Sequence, residues 1–312
     1  MFCFMKNYYR IMLGRKSAFA AEAYKGNFIG AGFVRDQDLS HHLHENWRDF
    51  NKQFIPVYLK ENPDKSKVSA GLACGMLWTI AKGINVGDIV LCPDGQGNYY
   101  AGEVTGNYYF KKGESLPHQR KVQWFSRSIP REEMSDSLRH SAGSIGTVSN
   151  ISKYGAEIEK HISGTQPVGI VATDETIEDP SIFALERHLE DFLVQNWHHT
   201  ELGKHYDIYE EDGEKVGQQY PSDTGPIDIL AISKNKKELL VVELKKGRVS
   251  DVVVGQIQRY MGYVKDELAE KGQSVRGVII GFEDDLSIKR ALSVTKDIDL
   301  YTYKVHFELR KR

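Results

Sequence analysis

GPIDILA at residues 225–231 and VVELK at residues 241–245 are apolar stretches that carry acidic residues. Short apolar runs bounded by turn residues are typical of buried β-strands. We therefore predict strands at residues 227–232 and 238–244, joined by a turn formed by the polar residues 233–237. Asp228 and Glu243 then interrupt strands that are otherwise apolar.

The two acids and the lysine that follows them indicate a catalytic site. A buried carboxylate is unfavourable unless it is paired or binds a metal, and two neighbouring carboxylates repel unless a cation lies between them. Mg²⁺ prefers one or two carboxylates with water and phosphate oxygens. Lys245 points to the same face as Glu243 because side chains alternate along a strand. It could activate a water or offset charge on a phosphate, although these three residues alone also fit a surface ion pair.

Helical segments flank the two predicted strands. Downstream, Gln256 and Tyr260 lie four residues apart, and therefore on one face, of a segment with helical periodicity. Upstream, Glu186 and Glu190 share one face of a helix predicted over residues 181–196. The strands thus have acidic and polar helix faces before and after them.

In this order, the elements resemble the PD-(D/E)XK nuclease superfamily, and most closely the C-terminal catalytic domain of the NucS/EndoMS endonucleases. The resemblance covers residues 182–264 and implies an α/β restriction-endonuclease-like domain with a mixed central sheet. It also implies an endodeoxyribonuclease that uses Mg²⁺, with Mn²⁺ as the alternative ion. Implied roles are metal binding for Asp228, Glu243 and Glu186, catalysis for Lys245, and contact beside the scissile phosphate for Gln256 and Tyr260. Glu190 is the alternative to Glu186 as the helix acid.

The connection between the acidic helix and the Asp228 strand is longer than is usual in that family. The additional segment, residues 206–224, is acidic and resembles a hairpin. Gln218, Gln219 and Tyr220 in it are candidate substrate contacts. A solvated hairpin without a functional role is an equally good interpretation.

Length and composition favour two domains in a reducing compartment. The 312 residues divide into predicted domains at 1–163 and 181–312, with a turn-rich, acidic linker at 164–180. The formal net charge of −2 excludes a strongly basic nucleic-acid binder, so DNA must be attracted by local basic patches. Three scattered cysteines provide neither a disulfide framework nor a zinc site. With no membrane span or signal expected, we predict a cytoplasmic protein.

The first half contains several short apolar runs separated by turn residues, two of which, 99–104 and 108–110, predict separate strands, and it has helical segments at 47–58 and 66–82. This pattern favours a small bent β-barrel with peripheral helices, and hence an α+β protein of two domains. The motifs FIGAGF at 28–33, GDIV at 87–90 and HQRKVQW at 118–124 resemble the EVE-like domains of the PUA-like group. Such domains occur at the N-terminus of Mrr- and McrB-type modification-dependent restriction proteins.

That resemblance implies a pocket for a flipped, modified base with aromatic walls. Candidate pocket residues are Phe33, Trp47, Tyr109 and Trp124, with Asp36 or Asp38 as a hydrogen-bond acceptor for a base edge. Trp78 is the aromatic residue most typical of simple packing, and capping of a turn is the alternative role for Asp38.

Together the two halves predict a restriction endonuclease that cuts DNA carrying a modified base. A mismatch or repair endonuclease of the NucS type is one alternative. A nucleic-acid sensor that has lost catalysis is another, and an RNA target stays open for the first half. Cutting both strands with one site per chain would favour a homodimer.

Overall fold

The structure, a computed structural model, describes residues 6–143, 146–163, 189–211, 215–245, 249–282 and 286–303. The chain forms two compact units, Met1–Ala172 and Thr173–Arg312. The predicted linker and Glu186 lie outside the described residues. In the part of the chain that is described, no helix is both long and apolar enough to cross a bilayer.

The first unit is built on a seven-stranded sheet with the order β2-β5-β4-β3-β1-β7, in which β6 pairs with β4. Its strands are β1 (Tyr8–Ile11), β2 (Phe28–Ala31), β3 (Ile89–Pro93), β4 (Asn98–Phe110), β5 (His118–Trp124), β6 (Ile129–Pro130) and β7 (Val148–Asn150). Its helices are α1 (Ala20–Gly26), α2 (Trp47–Glu61), α3 (Lys67–Trp78), α4 (Asp136–Ala142) and α5 (Gly155–Ser163). The helices predicted at 47–58 and 66–82 are confirmed, with a π-helical turn, Thr79–Gly83, ending the second.

Closure of this sheet into a barrel is not confirmed. In the described residues, β2 and β7 are the two edges of an open sheet. The sequence pattern also predicts two strands where the structure has one long strand, β4. The register between β4 and β5 shifts between Val104 and Tyr108, and an irregularity of this kind bends and twists a strand without ending it.

The second unit contains a six-stranded sheet with the order β13-β12-β11-β10-β8, in which β9 pairs with β10. Its strands are β8 (Tyr206–Ile208), β9 (Gln218–Ser222), β10 (Gly225–Ser233), β11 (Glu238–Leu244), β12 (Ser274–Gly281) and β13 (Ile298–Thr302). Residues 189–195 are helical and are called α6, followed by α7 (Val252–Tyr263) and α8 (Leu286–Ser293). β10 and β11 are antiparallel whereas β11, β12 and β13 are parallel, so the predicted mixed sheet is confirmed.

The two faces of this sheet are covered by different helices. On one face, Ile229 and Val242 belong to a buried apolar cluster that includes Trp197, just after α6. On the other face, a Cβ atom at Gly277 would lie 2.7 Å from Met261 Sδ, so α7 packs closely against β12 there. Since Gly277 pairs with Val241 and side chains alternate, the side chain of Glu243 lies on the α7 face.

Candidate active site

Strand register brings the two predicted acids together. In the antiparallel pair of β10 and β11, Ile229 lies opposite Val242. Continuing this register by one residue places Asp228 opposite Glu243. Directly opposed side chains have Cβ atoms about 4.5–5.5 Å apart, so the two carboxylates are close neighbours on the α7 face.

Both carboxylate oxygens of Asp228 are held by hydrogen bonds. Oδ2 accepts a hydrogen bond of 2.7 Å from the backbone N–H of Leu244, and Oδ1 accepts one of 3.2 Å from Gln219 Nε2. The first bond ties the acid of β10 to the end of β11. Asp228 therefore has a defined orientation relative to Glu243.

Glu243 is buried, with 2% of its surface exposed. Its Oε1 atom lies 2.9 Å from Lys245 Nζ, and the lysine side chain is 34% exposed. The N–H of Lys245 donates a hydrogen bond of 2.8 Å to the carbonyl of Ile280, so the strand-like path continues beyond the last residue of β11. This path places the lysine on the same face as the glutamate and lets its ammonium group reach solvent.

Helix α7 brings Gln256 and Tyr260 to the same site. Gln256 Nε2 donates a hydrogen bond of 3.3 Å to Tyr260 Oη, and Tyr260 is buried. Burial raises the pKa of Tyr260, and the negative charges of Glu243 and Asp228 raise it further against the effects of the Gln256 hydrogen bond and of Lys245. The tyrosine hydroxyl thus stays protonated beside the acids.

A glycine at the start of β10 makes room for that hydroxyl. Gly225 has φ +125°, which side-chain-bearing residues rarely adopt, and a Cβ atom there would lie 3.2 Å from Tyr260 Oη. The backbone conformation and the nearby tyrosine therefore explain why the GPIDILA motif begins with a glycine beside the candidate site.

The acidic helix contributes Glu190, which is buried. Its Oε1 and Oε2 atoms accept hydrogen bonds of 2.8 and 2.6 Å from the side-chain amides of Gln218 and Gln219. Glu190 is therefore joined through Gln219 to Asp228, whereas Glu186, the favoured helix acid, lies outside the described residues. The assignment of the helix acid stays a prediction, and Glu190 is the candidate that can be located.

The inserted segment, residues 206–224, had two interpretations, a source of substrate contacts and a solvated hairpin. Its described residues do not fully fit either one. Tyr220 is fully buried, so its prediction as a substrate contact is wrong. Gln218 and Gln219 bind carboxylates, so this part is not simply a solvated hairpin. The sequence did contain a signal for the contact between Gln219 and Asp228. The turn before Gly225 is short, and pairing the residues on its two sides in antiparallel order places Gln219 opposite Asp228.

The donor set suits a hard divalent cation. Mg²⁺ needs only one or two carboxylates, since it keeps several waters and binds substrate phosphate. Asp228 and Glu243 provide such a pair. No larger group of histidine, cysteine or acidic side chains suited to metal binding occurs within the described ranges, and the third predicted ligand, Glu186, lies outside them.

The candidate base-binding residues of the first unit are spread over its sheet and helices. Phe33 meets Tyr58 edge-on, with ring centroids 6.4 Å apart. Trp124 lies near Tyr24, at 5.7 Å between centroids. Trp47 is partly buried at the start of α2, and Asp36 is exposed.

No single cage can contain both Tyr109 and Trp124. Tyr109 pairs with Gln119 on β5. Because residues 119 and 124 have opposite parity along the strand, their side chains point to opposite faces of the sheet. Asp38 Oδ1 accepts hydrogen bonds from the backbone N–H and hydroxyl of Ser40, at 2.9 and 2.7 Å, as in a turn cap.

Sequence reasoning missed His118, which is fully buried on β5. Its Nε2 atom lies 3.0 Å from the carbonyl oxygen of Val34, and its Nδ1 atom lies 2.9 Å from Tyr108 Oη. A carbonyl only accepts, so Nε2 carries the proton and Nδ1 accepts from the tyrosine. Burial lowers the pKa of His118, although the carbonyl contacts oppose the shift.

A mixed sheet with an aspartate on one strand and Glu-x-Lys on the next resembles the core of a PD-(D/E)XK nuclease domain. Residues 186–293, which lie within the second unit, match the family model described as the Endonuclease NucS C-terminal domain. Residues 9–152 match a family model described only as a domain of unknown function, DUF8426. The expected EVE-like assignment is therefore not established.

Endonuclease NucS of Methanocaldococcus jannaschii is 34% identical to this chain over 74 residues, which are 24% of this chain and 27% of that protein. A repair endonuclease from Pyrococcus abyssi gives a TM-score of 0.31 at 14% identity, over 68% of this chain and 66% of that one. An EndoMS structure with double-stranded DNA gives 0.32 at 13% identity, over 70% and 66%. TM-scores this low do not establish a shared overall fold.

Proposed function

We propose that this protein is a Mg²⁺-dependent DNA endonuclease whose phosphodiester-hydrolysing site lies in the second unit. The observation that carries the proposal is the position of Asp228 opposite Glu243, with Lys245 Nζ 2.9 Å from Glu243 Oε1. These three residues lie within the segment that matches the NucS C-terminal domain. That match, rather than the sheet alone, supports nucleic acid as the substrate class.

The proposed roles follow from the contacts. The hydrogen bond from the Leu244 N–H orients Asp228, and burial keeps Glu243 away from bulk water. When bound, Mg²⁺ would lower the pKa of a water and neutralise charge on the attacked phosphate. Lys245 supplies a positive charge at the exposed side of the acid pair, where it can hold a water or a phosphate oxygen. Tyr260 and Gln256 offer neutral hydrogen-bonding groups to the substrate backbone.

For the first unit, we propose the reading of a modified base, which would make the protein a modification-dependent restriction enzyme. The partly buried aromatic side chains of Phe33, Trp47, Tyr109 and Trp124 support this role, since each offers a stacking surface. Tyr109 and Trp124 would then belong to different surfaces, so a base would meet only one of them.

A cleavage assay on the full chain tests the proposal. Matched duplexes would be unmodified, or carry methylcytosine, hydroxymethylcytosine, methyladenine or a single mismatch, each with Mg²⁺ or Mn²⁺. We expect cutting of one modified duplex and none after Glu243→Gln. Cutting that persists in the Glu243→Gln protein would reject the site.

A mismatch or repair endonuclease of the NucS type is the second candidate, and the match of residues 186–293 to the NucS C-terminal domain supports a NucS-type nuclease. Preferential cutting of the mismatched duplex would favour it over restriction. No cutting of any duplex, together with binding of nucleic acid, would favour the sensor that has lost catalysis.

A further inference from the structure

Gln219 joins the acidic helix to the acidic strand. Its Nε2 atom lies 2.6 Å from Glu190 Oε2 and 3.2 Å from Asp228 Oδ1. A carboxamide nitrogen carries two N–H donors, so one amide group can donate to both carboxylates at once. Because both partners accept hydrogen bonds, the nitrogen end of the amide must face them.

The backbone of Gln219 is unusual for a residue with a side chain. Its φ angle is +52°, in the left-handed region. The neighbouring pairs Tyr220–Ile227 and Gln218–Ile229 keep β9 in register with β10 on both sides of it. Such a conformation persists where the surroundings hold it, and here the amide is bound to two acids on two different elements.

The adjacent residue Gln218 makes a different set of contacts. Its Nε2 atom lies 2.8 Å from Glu190 Oε1 and 3.0 Å from Asp191 Oδ1, and both of these acids belong to α6. Gln218 therefore anchors the helix acid to the inserted strand. Gln219 additionally fixes the distance from that acid to Asp228.

We propose that Gln219 is a positioning residue that presents Glu190 and Asp228 together to one divalent cation. This inference rests on the proposed function, since it takes Asp228 as a metal ligand. The amide offsets repulsion between the two carboxylates before the ion arrives. It thereby ties the acid of α6 to the acid of β10, and the inserted segment becomes a support of the metal site.

The test measures Mn²⁺ affinity of the full chain by titration calorimetry in the absence of DNA. Gln219→Met has a similar length but no amide, and we expect its Mn²⁺ affinity to fall about 10- to 100-fold. The Mg²⁺ concentration for half-maximal cleavage should rise by a similar factor, with a smaller change in the rate at saturating Mg²⁺. Gln218→Met should weaken Mn²⁺ binding less, because it leaves the bridge to Asp228 in place.

A second variant separates positioning from folding. Gln219→Gly also removes the amide, yet glycine adopts a positive φ without strain, and it should show the same loss of affinity. Folded Met and Gly variants with wild-type Mn²⁺ affinity would overturn the inference. An equal loss in Gln218→Met would overturn it too, since the effect would then come from anchoring Glu190 alone.

The result for the unaltered protein distinguishes this inference from the proposed function. If it binds Mn²⁺ but cuts no duplex, the proposed function fails, while the affinities of the variants still decide the role of Gln219. If it binds no Mn²⁺, both are rejected.

Discussion

Glu243 and Lys245, which are two residues apart in the chain, form an ion pair with 2.9 Å between Glu243 Oε1 and Lys245 Nζ. The glutamate is almost completely buried, whereas about a third of the lysine side chain is exposed. The pair therefore links the interior of the sheet to solvent. A substrate phosphate that approaches from solvent would meet the ammonium group before the carboxylate.

Glu243→Gln keeps the shape of the side chain and removes its charge. We expect cleavage to fall by roughly 10³-fold or more, because the neutral amide loses most of its affinity for a hard cation. Single-turnover cleavage measures the change, and DNA binding should be retained. Glu238→Gln, on the same strand but bound to Tyr206 and Ser274, is the matched control and should cut normally.

Lys245→Met removes the ammonium group while keeping an unbranched side chain. We expect cleavage to fall by about 10²- to 10³-fold, the range seen when a charge-stabilising donor is lost. Binding of Mn²⁺ should be retained or strengthened, since no lysine then competes for Glu243 Oε1. Lost Mn²⁺ binding in this variant would show that the lysine supports the acids structurally.

The helix acid can be assigned by comparing Glu190→Gln with Glu186→Gln. Because Glu190 is buried and bound by the amide that also binds Asp228, we expect its variant to lose more Mn²⁺ affinity. Calorimetry without DNA gives the comparison directly. A larger loss in Glu186→Gln would assign the role to the residue that the sequence pattern favours.

Gly225→Ala should disturb the site through Tyr260. The new Cβ would lie 3.2 Å from the tyrosine hydroxyl at a φ of +125°, so we expect a loss of about 1–3 kcal/mol in the free energy of unfolding and slower cleavage. Denaturant titration measures the first effect. Gly262→Ala is the control: it lies in α7 with open space around its Cβ position, and should stabilise the protein by about 0.5–1 kcal/mol.

The buried His118 predicts a dependence of stability on pH. Its pKa is lowered by burial, so the unfolded chain takes up a proton near pH 6.5 while the folded chain does not. The unfolded state then binds more protons, and stability falls as the pH drops below about 6.5. Thermal unfolding between pH 8 and 5 should show a smaller fall in His118→Asn than in the unaltered protein. His199→Asn, at an exposed position, should follow the unaltered protein.

In the second unit, the sequence was informative because its signals are local. The strands predicted at 227–232 and 238–244 lie within β10 and β11, since apolar runs of that length bury both faces in a mixed sheet. The spacing of Glu243 and Lys245 placed them on one face through strand alternation alone. These features need no knowledge of distant contacts.

In the first unit, the local pattern was less decisive. A gap between two apolar runs, 99–104 and 108–110, predicted a break, whereas β4 continues through it with a shift of register. Whether a sheet closes depends on pairing between its two edge strands, which here are β2 and β7. That pairing joins residues far apart in the chain. A local sequence pattern therefore could not decide whether the expected barrel forms.

The sequence by itself determined which residue types the candidate site contains and on which elements most of them lie. Only the tertiary structure decided that Gln219 bridges Glu190 and Asp228, that Tyr220 is buried, and that Tyr109 and Trp124 face opposite ways. The physical reason is that alternation and helical periodicity fix directions within one element. The relation between elements is set by strand register and packing, which join residues far apart in the chain.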